Sequence, residues 1–309
     1  MEPDFIIGGA PKCGTTSLHQ ILDRHPRVWM APNEVYFHDA DDPVAHPDFL
    51  SVQDGSLIWR DPDGPAMRDW YAERFADAPA GAVLGEDSTT YLMSDVGPHR
   101  IARSSRTKTI IMLRDPVRRA VSQYWHLLRS GRTHLTLERA LSAEPSIIAG
   151  STYAPRLRAY REALGPERMH VFLFEDFNAD RQRVLDGVTD YLEIDRLSVG
   201  NADNWHNRTR YPRRMATLRR WNRVGRYLVR YRYARYFGSN APLRSRAMHK
   251  AYRVWFNHVS RAVLTEDAPP EALSDGTRDF LVRHLSARNA GLSDFLGRDL
   301  AEMWPGFTQ

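Results

Sequence analysis

FIIGGAPKCGTTSL, residues 5–18, is the stretch of this chain that decides the fold. Residues 5–7 are apolar and indicate a buried strand, a glycine-rich loop follows, and from about Gly14 the pattern is helical. Loop amides before a helix start, together with the helix dipole, favour an anion, and Lys12 adds a full positive charge at the same place. We therefore expect this loop to bind a phosphate-like group.

The position of Lys12 separates this loop from that of the ATPases. Gly9 and Gly14 have the ATPase spacing, but Thr15 stands where that loop needs lysine. A lysine inside the loop would lie close to the 5′ end of a bound nucleotide, next to the bond that breaks. Only three lysines occur in the whole chain, and one of them lies in this loop, which favours a ligand role for Lys12 over a ligand-free turn.

Composition limits the class of protein. The 309 residues are 42% hydrophobic and include eight tryptophans, enough for one large domain or a domain with a helical annex. A formal charge of +5 fits a nucleotide enzyme as well as a nucleic-acid binder. Cys13 is the only cysteine, so no intramolecular disulfide is expected. No apolar run approaches the roughly 20 residues of a membrane helix, and the first strand begins too early for a signal peptide. We expect a soluble cytoplasmic protein, and the preference for arginine over lysine suggests a bacterial source.

Strands alternate with helices over the first part of the chain. Apolar runs predict strands at about 4–8, 28–30, 82–86, 109–113 and 170–174. Such alternation implies right-handed crossovers and a parallel sheet covered on both faces. From Met215 to the C-terminus the pattern predicts helix only. We expect a single domain of the P-loop α/β type, with residues 1–195 as the nucleotide-binding core and residues 196–309 as a mostly helical C-terminal part.

A second anion-binding segment follows a later strand. In open parallel sheets, ligands bind at the carboxyl ends of the strands. The strand at 109–113 leads directly into Arg114, whose planar guanidinium can hold two phosphate oxygens. Ser122, eight residues further on, could add a hydroxyl donor from the helix that follows.

Both segments resemble those of the sulfotransferases that use 3′-phosphoadenosine 5′-phosphosulfate (PAPS). The loop PKCGTTS, residues 11–17, is similar to the 5′-phosphosulfate loop of that family, and LRDPVRRAVSQY, residues 113–124, is similar to its 3′-phosphate motif. The resemblance implies PAPS as co-substrate, leaving as adenosine 3′,5′-bisphosphate (PAP). The residues that it implies for binding PAPS are Lys12, Cys13, Gly14, Thr15, Thr16 and Ser17 on the 5′ side, and Arg114 and Ser122 on the 3′ side.

A third segment, APNEVYFH at residues 31–38, resembles the one that carries the catalytic glutamate in heparan sulfate sulfotransferases and their bacterial relatives. The resemblance makes Glu34 the candidate general base. Transfer to an alcohol needs the hydroxyl proton removed, and partial desolvation by Tyr36 and Phe37 would raise the basicity of the carboxylate. His38 is a candidate to assist the base or orient the acceptor. The alternatives are an exposed loop position for Glu34 and a structural role for His38.

The next strand end, GEDSTTYL at residues 85–92, resembles the Gly-Glu-Lys-Ser-Pro-x-Tyr segment of the same family. Ser88 and Tyr91, together with Phe37, are therefore candidates to line the acceptor pocket. Ordinary packing at the end of a strand would explain Ser88 and Tyr91 equally well.

The arginine-rich stretch after residue 205 has two interpretations. Residues 206–214 stand where relatives fold a basic loop over the 3′ side of the nucleotide, so Arg213 or Arg214 could supplement Arg114. Residues 208–253 also interleave arginines with aromatic side chains, as single-strand binders do. The same spacing is typical of a helix with one packed and one solvated face, so we expect no specific nucleic-acid partner.

Together these segments predict a sulfotransferase. It would move a sulfuryl group from PAPS to a hydroxyl of a small-molecule, glycoside or carbohydrate acceptor, secondary metabolites included, with Glu34 as base and Lys12 stabilising the leaving group. Histidine spacing suggests no zinc, and sulfate transfer needs no divalent cation, so no metal is expected. Two alternatives stay open: a P-loop kinase, for which Asp115 could hold magnesium, and a non-catalytic nucleic-acid or polyanion binder. The sequence indicates no oligomeric state.

Overall fold

The computed structural model describes residues 2–53, 55–198, 211–212, 214–229, 231, 243–260, 265–266 and 273–307. The strands are Phe5–Gly9 (β1), Val28–Met30 (β2), Ser51–Gln53 (β3), Ser56–Ile58 (β4), Val83–Asp87 (β5), Lys108–Leu113 (β6), Met169–Leu173 (β7), Tyr211–Pro212 (β8) and Thr265–Glu266 (β9). The α-helices are Thr15–Leu22 (α1), Pro65–Glu73 (α2), Gly97–Ile101 (α3), Pro116–Arg129 (α4), Leu137–Ala143 (α5), Ser146–Ala149 (α6), Ala154–Leu164 (α7), Phe174–Ala179 (α8), Arg181–Leu192 (α9), Met215–Val229 (α10), Leu243–Val254 (α11), Asp275–Arg288 (α12) and Leu292–Leu296 (α13).

The principal sheet has five parallel strands in the order β2-β5-β1-β6-β7. Its central strand, β1, and its neighbour β6 are buried almost throughout, as strands covered on both faces must be. The chain passes from β1 toward β2 and β5 on one side and then crosses to β6 on the other. This reversal opens a crevice at the carboxyl end of β1, where the loop before α1 lies.

Two apolar clusters position the elements around this crevice. The larger cluster joins the strands to α1, α7 and α9 and includes Trp304 and Phe307 from the chain end. The second cluster joins α4 to α10 and α12, with Leu218, Leu281 and Leu285 fully buried. Because α4 directly follows β6, this packing brings the C-terminal helices close to Arg114.

The predicted α/β fold, with a parallel sheet flanked by helices and a mostly helical C-terminal part, is confirmed. The prediction of helix alone after Met215 is wrong at β9, which pairs antiparallel with β8. A ladder of two residues depends on its partner strand and leaves no periodic pattern in the sequence. The predicted strand at 170–174 ends at Leu173, because Phe174 begins α8.

Helix α9 ends at Leu192, near the predicted division of the domain at residue 195. None of the helices in the described ranges is both long enough and apolar enough to cross a membrane.

Candidate active site

The loop after β1 is shaped to present backbone amides. Lys12 adopts a left-handed backbone with φ of 70°, and Gly14 does so with φ of 94° at the N-cap of α1. A Cβ at Gly14 would lie 2.8 Å from the ring of Phe174, so only glycine fits there. No side chain of the described residues caps α1. The amides of its first turn, at Thr15 and Thr16, therefore stay available to an anion.

The side chains of the loop divide between the core and the crevice. Cys13 is fully buried, and burial raises the pKa of its thiol to about 12, so this cysteine is a core residue and not a nucleophile. Thr15 is also buried, whereas Thr16 is exposed and Ser17 is half-buried. Only the backbone of Cys13, and not its thiol, is placed to contact a ligand.

Lys12 lies within electrostatic reach of Glu34 and Arg114, two of the other predicted site residues. Burial lowers the pKa of Lys12 from 10.5 to about 8; the charge of Arg129 lowers it further, whereas that of Glu34 raises it. Arg119 and Arg114 also lower this pKa, by smaller amounts. The predicted leaving-group lysine and the predicted base are thus close enough to interact electrostatically, and three arginines act on the same lysine.

Arg119 supports the loop from beneath, and the sequence reading missed it. This fully buried side chain donates from Nε to the carbonyl of Pro11 at 2.9 Å, and from Nη1 to the carbonyls of Ser146 and Ile147 at 3.0 Å each. A Cβ at Gly150 would collide with the guanidinium. Within the described residues no carboxylate pairs with Arg119, so its charge adds to the positive potential beneath the loop.

Arg114 and Ser122, the predicted 3′-phosphate pair, line one cavity of about 320 Å³. The guanidinium of Arg114 lies over the ring of Phe174, 4.9 Å from its centroid, and donates to the carbonyl of Lys12 at 3.4 Å. Trp125 lines the same cavity. The structure thus brings the two predicted anion-binding segments together through Arg114.

The C-terminal arginine at this cavity differs from the predicted ones. Arg213 lies outside the described residues. Arg214 is exposed just before α10 and does not line the cavity, whereas Arg118 on α4 and Arg278 on α12 do. Sequence reasoning missed Arg278 because α12 reaches α4 only through the packing of buried leucines.

Two hydroxyl groups hold the carboxylate of Glu34. Thr89 donates to its Oε1 at 2.6 Å, and the phenol of Tyr36 donates to its Oε2. Tyr36 has a φ of 53°, unusual for a bulky residue. The hydroxyl oxygen of Ser88 stabilises this turn by accepting from the amides of Val35 at 3.2 Å and Tyr36 at 2.9 Å.

The three candidate acceptor residues support this loop from inside. Ser88 and Tyr91 are fully buried, and the hydroxyl oxygen of Tyr91 accepts from the amides of Phe37 at 2.8 Å and His38 at 3.2 Å. The ring of Phe37 stacks on that of Tyr71 with centroids 4.1 Å apart. The hydroxyls of Ser88 and Tyr91 therefore hold the loop that carries Glu34, and the ring of Phe37 packs on Tyr71 of α2. A role of these residues in an acceptor pocket stays a prediction.

His38 is a buried, neutral imidazole. Burial lowers its pKa to about 3, and the charges of Arg100 and Arg103 add to the lowering. Its ring packs edge-on against Phe37 and Tyr91. His38 is therefore not protonated to the imidazolium near pH 7 and carries no positive charge there.

The sequence also did not indicate a cluster of buried acidic side chains close to Glu34. His46 Nε2 lies 2.9 Å from Asp39 Oδ1, and its ring lies 4.6 Å from that of Tyr36. Burial raises the pKa of Glu86 to about 8 and that of Asp87 to about 6. No group of three or more His, Cys, Asp or Glu side chains in the described part of the chain is arranged to hold a metal ion.

With the fold and this geometry in place, comparison with known proteins identifies the class. Residues 3–198 match the model of the Sulfotransferase family, and the chain belongs to that family, as the motifs had indicated. It is 26% identical over 190 residues to the human (Homo sapiens) heparan sulfate glucosamine 3-O-sulfotransferase 5. The matched region covers 60% of this chain and 48% of that protein. It is 33% identical over 129 residues to the human bifunctional heparan sulfate N-deacetylase/N-sulfotransferase 2, covering 40% of this chain and 13% of that protein.

Among solved structures, the chain resembles a sulfotransferase from Alicyclobacillus acidocaldarius, with a TM-score of 0.61, 22% identity and 98% of each chain covered. This likeness shows that the two proteins share a fold. The matched region spans about half the length, or less, of the curated relatives.

Proposed function

We propose that this protein transfers a sulfuryl group from PAPS to a hydroxyl of a small-molecule, glycoside or carbohydrate acceptor and releases PAP. One observation carries the proposal: Lys12 lies inside the anion loop, within electrostatic reach of Glu34, while Arg114 donates to the carbonyl of Lys12. Membership of the Sulfotransferase family supports the same reaction.

The donor fits the groups that the chain presents. The first-turn amides of α1 and the ammonium of Lys12 suit the 5′-phosphosulfate, and Arg114 with Ser122 suits the 3′-phosphate. Arg278 adds a further cation at the same cavity. When bound, PAPS supplies the sulfuryl group and a stable leaving group.

The chemistry assigned to the chain is a proton transfer and a charge stabilisation. Glu34 takes the proton of the acceptor hydroxyl as that oxygen bonds to sulfur and the bridging S–O bond breaks. Lys12 stabilises the negative charge that develops on the departing oxygen. Thr89 and Tyr36 keep the carboxylate of Glu34 in a single orientation, since each donates to a different oxygen.

The remaining candidate residues act by position. Ser88 and Tyr91 hold the backbone of residues 35–38, so they fix where Glu34 stands. His38 stays neutral and can help to orient the acceptor, but it cannot act as a general acid. Phe37 anchors the loop through its stack on Tyr71.

Calorimetry with PAP and a sulfuryl-transfer assay test the proposal together. Glu34→Gln should bind PAP normally and lose about 10²- to 10⁴-fold in turnover, because only the base is removed. Lys12→Ala should keep its fold and lose several orders of magnitude in turnover. If the wild-type protein ignores PAP at millimolar concentration, the proposal is wrong. Magnesium-dependent turnover of ATP would instead favour the kinase.

A further inference from the structure

A large cavity is lined by residues from segments that adjoin those of the candidate site, and it has no role in the mechanism above. Its volume is about 1090 Å³, at the upper end of the roughly 300–1,000 Å³ of small-molecule pockets. Its apolar lining includes three of the large hydrophobic side chains that the protein leaves exposed, Val44, Val96 and Phe280, which are 37%, 43% and 44% exposed. An apolar surface of this kind inside a concavity marks a binding site.

Two walls of this cavity adjoin the segments that hold Glu34 in place. Arg100 donates to the carbonyl of His38 at 3.0 Å and to Asp41 Oδ1 at 2.6 Å, and Asp41 lines the cavity. Met93, also in the lining, ends the 3-10 helix that begins at Thr89, the residue bonded to Glu34.

A third wall connects to the anion loop. Ile148 and Ala149 of α6 line the cavity, and the carbonyl of the preceding Ile147 accepts a hydrogen bond from Arg119. Arg119 in turn holds the carbonyl of Pro11 in the loop. Three sides of the cavity are therefore formed by segments whose neighbouring residues position Glu34 or Lys12.

The charges of the lining do not suit a polyanion. Four carboxylates border the cavity, against two guanidinium groups, Arg156 and Arg288, and one of the carboxylates, Asp41, is paired with Arg100. Arg156 is paired with Asp95. Arg288 donates to Nε2 of His284 at 2.8 Å, and burial lowers the pKa of His284, so that ring adds no positive charge near pH 7. A sulfated polysaccharide would meet more negative than positive charge here.

We propose that this cavity binds the acceptor, and that the acceptor is an alcohol with an apolar, uncharged body. The inference rests on the proposed function, because it assigns the second substrate of that reaction. It separates this chain from the relatives whose names specify heparan sulfate, a polyanion.

Calorimetry on the whole protein, saturated with PAP, tests the assignment. The probe is octyl β-D-glucoside, a neutral alcohol with an apolar chain, used below its micelle-forming concentration. Val96→Glu and Phe280→Glu place a charge in the cavity at partly exposed positions, and each should weaken binding of the glucoside at least tenfold. Leu57→Glu is the matched control, because Leu57 is 51% exposed on β4 and does not line the cavity. It should bind the glucoside as the wild type does.

The results separate the two proposals. PAP affinity should be the same in all four proteins, and a heparan sulfate tetrasaccharide should bind more weakly than the glucoside. The cavity assignment is overturned if PAP binds but the glucoside does not, if both cavity variants bind the glucoside normally, or if the tetrasaccharide binds more tightly. Failure to bind PAP at all would refute the proposed function itself.

Discussion

The ionisation of Lys12 should control the affinity of the protein for PAP at alkaline pH. Burial lowers the pKa of Lys12 to about 8, so the charged fraction falls from about nine-tenths at pH 7 to about one-tenth at pH 9. If the ammonium is needed to hold the 5′-phosphate, the association constant should fall about tenfold over that interval. A lysine with the ordinary pKa of 10.5 would cause almost no change.

The assay is calorimetric titration of PAP at pH 7, 8 and 9 at one ionic strength, in buffers of different ionisation enthalpy. At pH 9, binding should take up about 0.9 proton per PAP, because Lys12 must be charged in the complex. Lys12→Arg keeps its charge at every pH in this range and should show neither the fall in affinity nor the proton uptake. A wild-type affinity that is constant from pH 7 to pH 9, without proton uptake, would refute the reasoning.

The same ionisation should appear in the stability. The folded-state pKa of Lys12 lies about 2.5 units below its ordinary value of 10.5, which corresponds to about 3 kcal/mol against folding. That cost is complete well below pH 8, where Lys12 is charged in both states, and it disappears as the pH rises above 10.5, where Lys12 is neutral in both. Lys12→Met should therefore be more stable than the wild type by up to about 3 kcal/mol at pH 7. Urea unfolding should show this difference shrinking as the pH rises.

Three further substitutions test the supports of the site. Ser88→Ala removes the acceptor of two buried amides and should lower the free energy of unfolding by about 2–3 kcal/mol in urea. Turnover should fall about 10²-fold because Glu34 shifts. Unchanged turnover would contradict the positioning role of Ser88. Arg119→Met should weaken PAP binding about tenfold or more in calorimetry, since three loop and helix carbonyls lose their donor, and an unaltered affinity would rule out a contribution beneath the loop. Arg278→Ala should weaken PAP binding about 5- to 30-fold while sparing adenosine 5′-phosphosulfate, which lacks the 3′-phosphate. Arg214→Ala is its control, and equal losses in both variants would exclude Arg278 as the specific contact.

The two segments that we propose to bind the donor could be found in the sequence because the parts of each are contiguous. β1, the anion loop and α1 follow one another within residues 5–22, and Arg114 comes directly after a buried strand. A ligand site at the carboxyl edge of a parallel sheet then follows from the order of strands and helices alone. The fold class could be predicted for the same reason, since it also follows from the order of strands and helices.

The acceptor half depends on contacts between distant segments. The sequence gives no sign that the hydroxyl of Ser88 turns back onto residues 35–36, or that His46 pairs with Asp39 beneath Tyr36. The sequence did contain a sign that Arg119 belongs to the site, since this residue lies three positions before Ser122 on the same face of α4. It contained none for Arg278, because its position depends on how α12 packs.

Arg114 links the two ends of the proposed donor site. Its guanidinium borders the 3′ cavity and also bonds the backbone at Lys12, 3.4 Å away. If the nucleotide binds as proposed, an anion in this cavity would order the Arg114 side chain, which also contacts the loop, and the two ends of the nucleotide would then bind cooperatively. Adenine nucleotides with only one of the two groups forfeit this coupling.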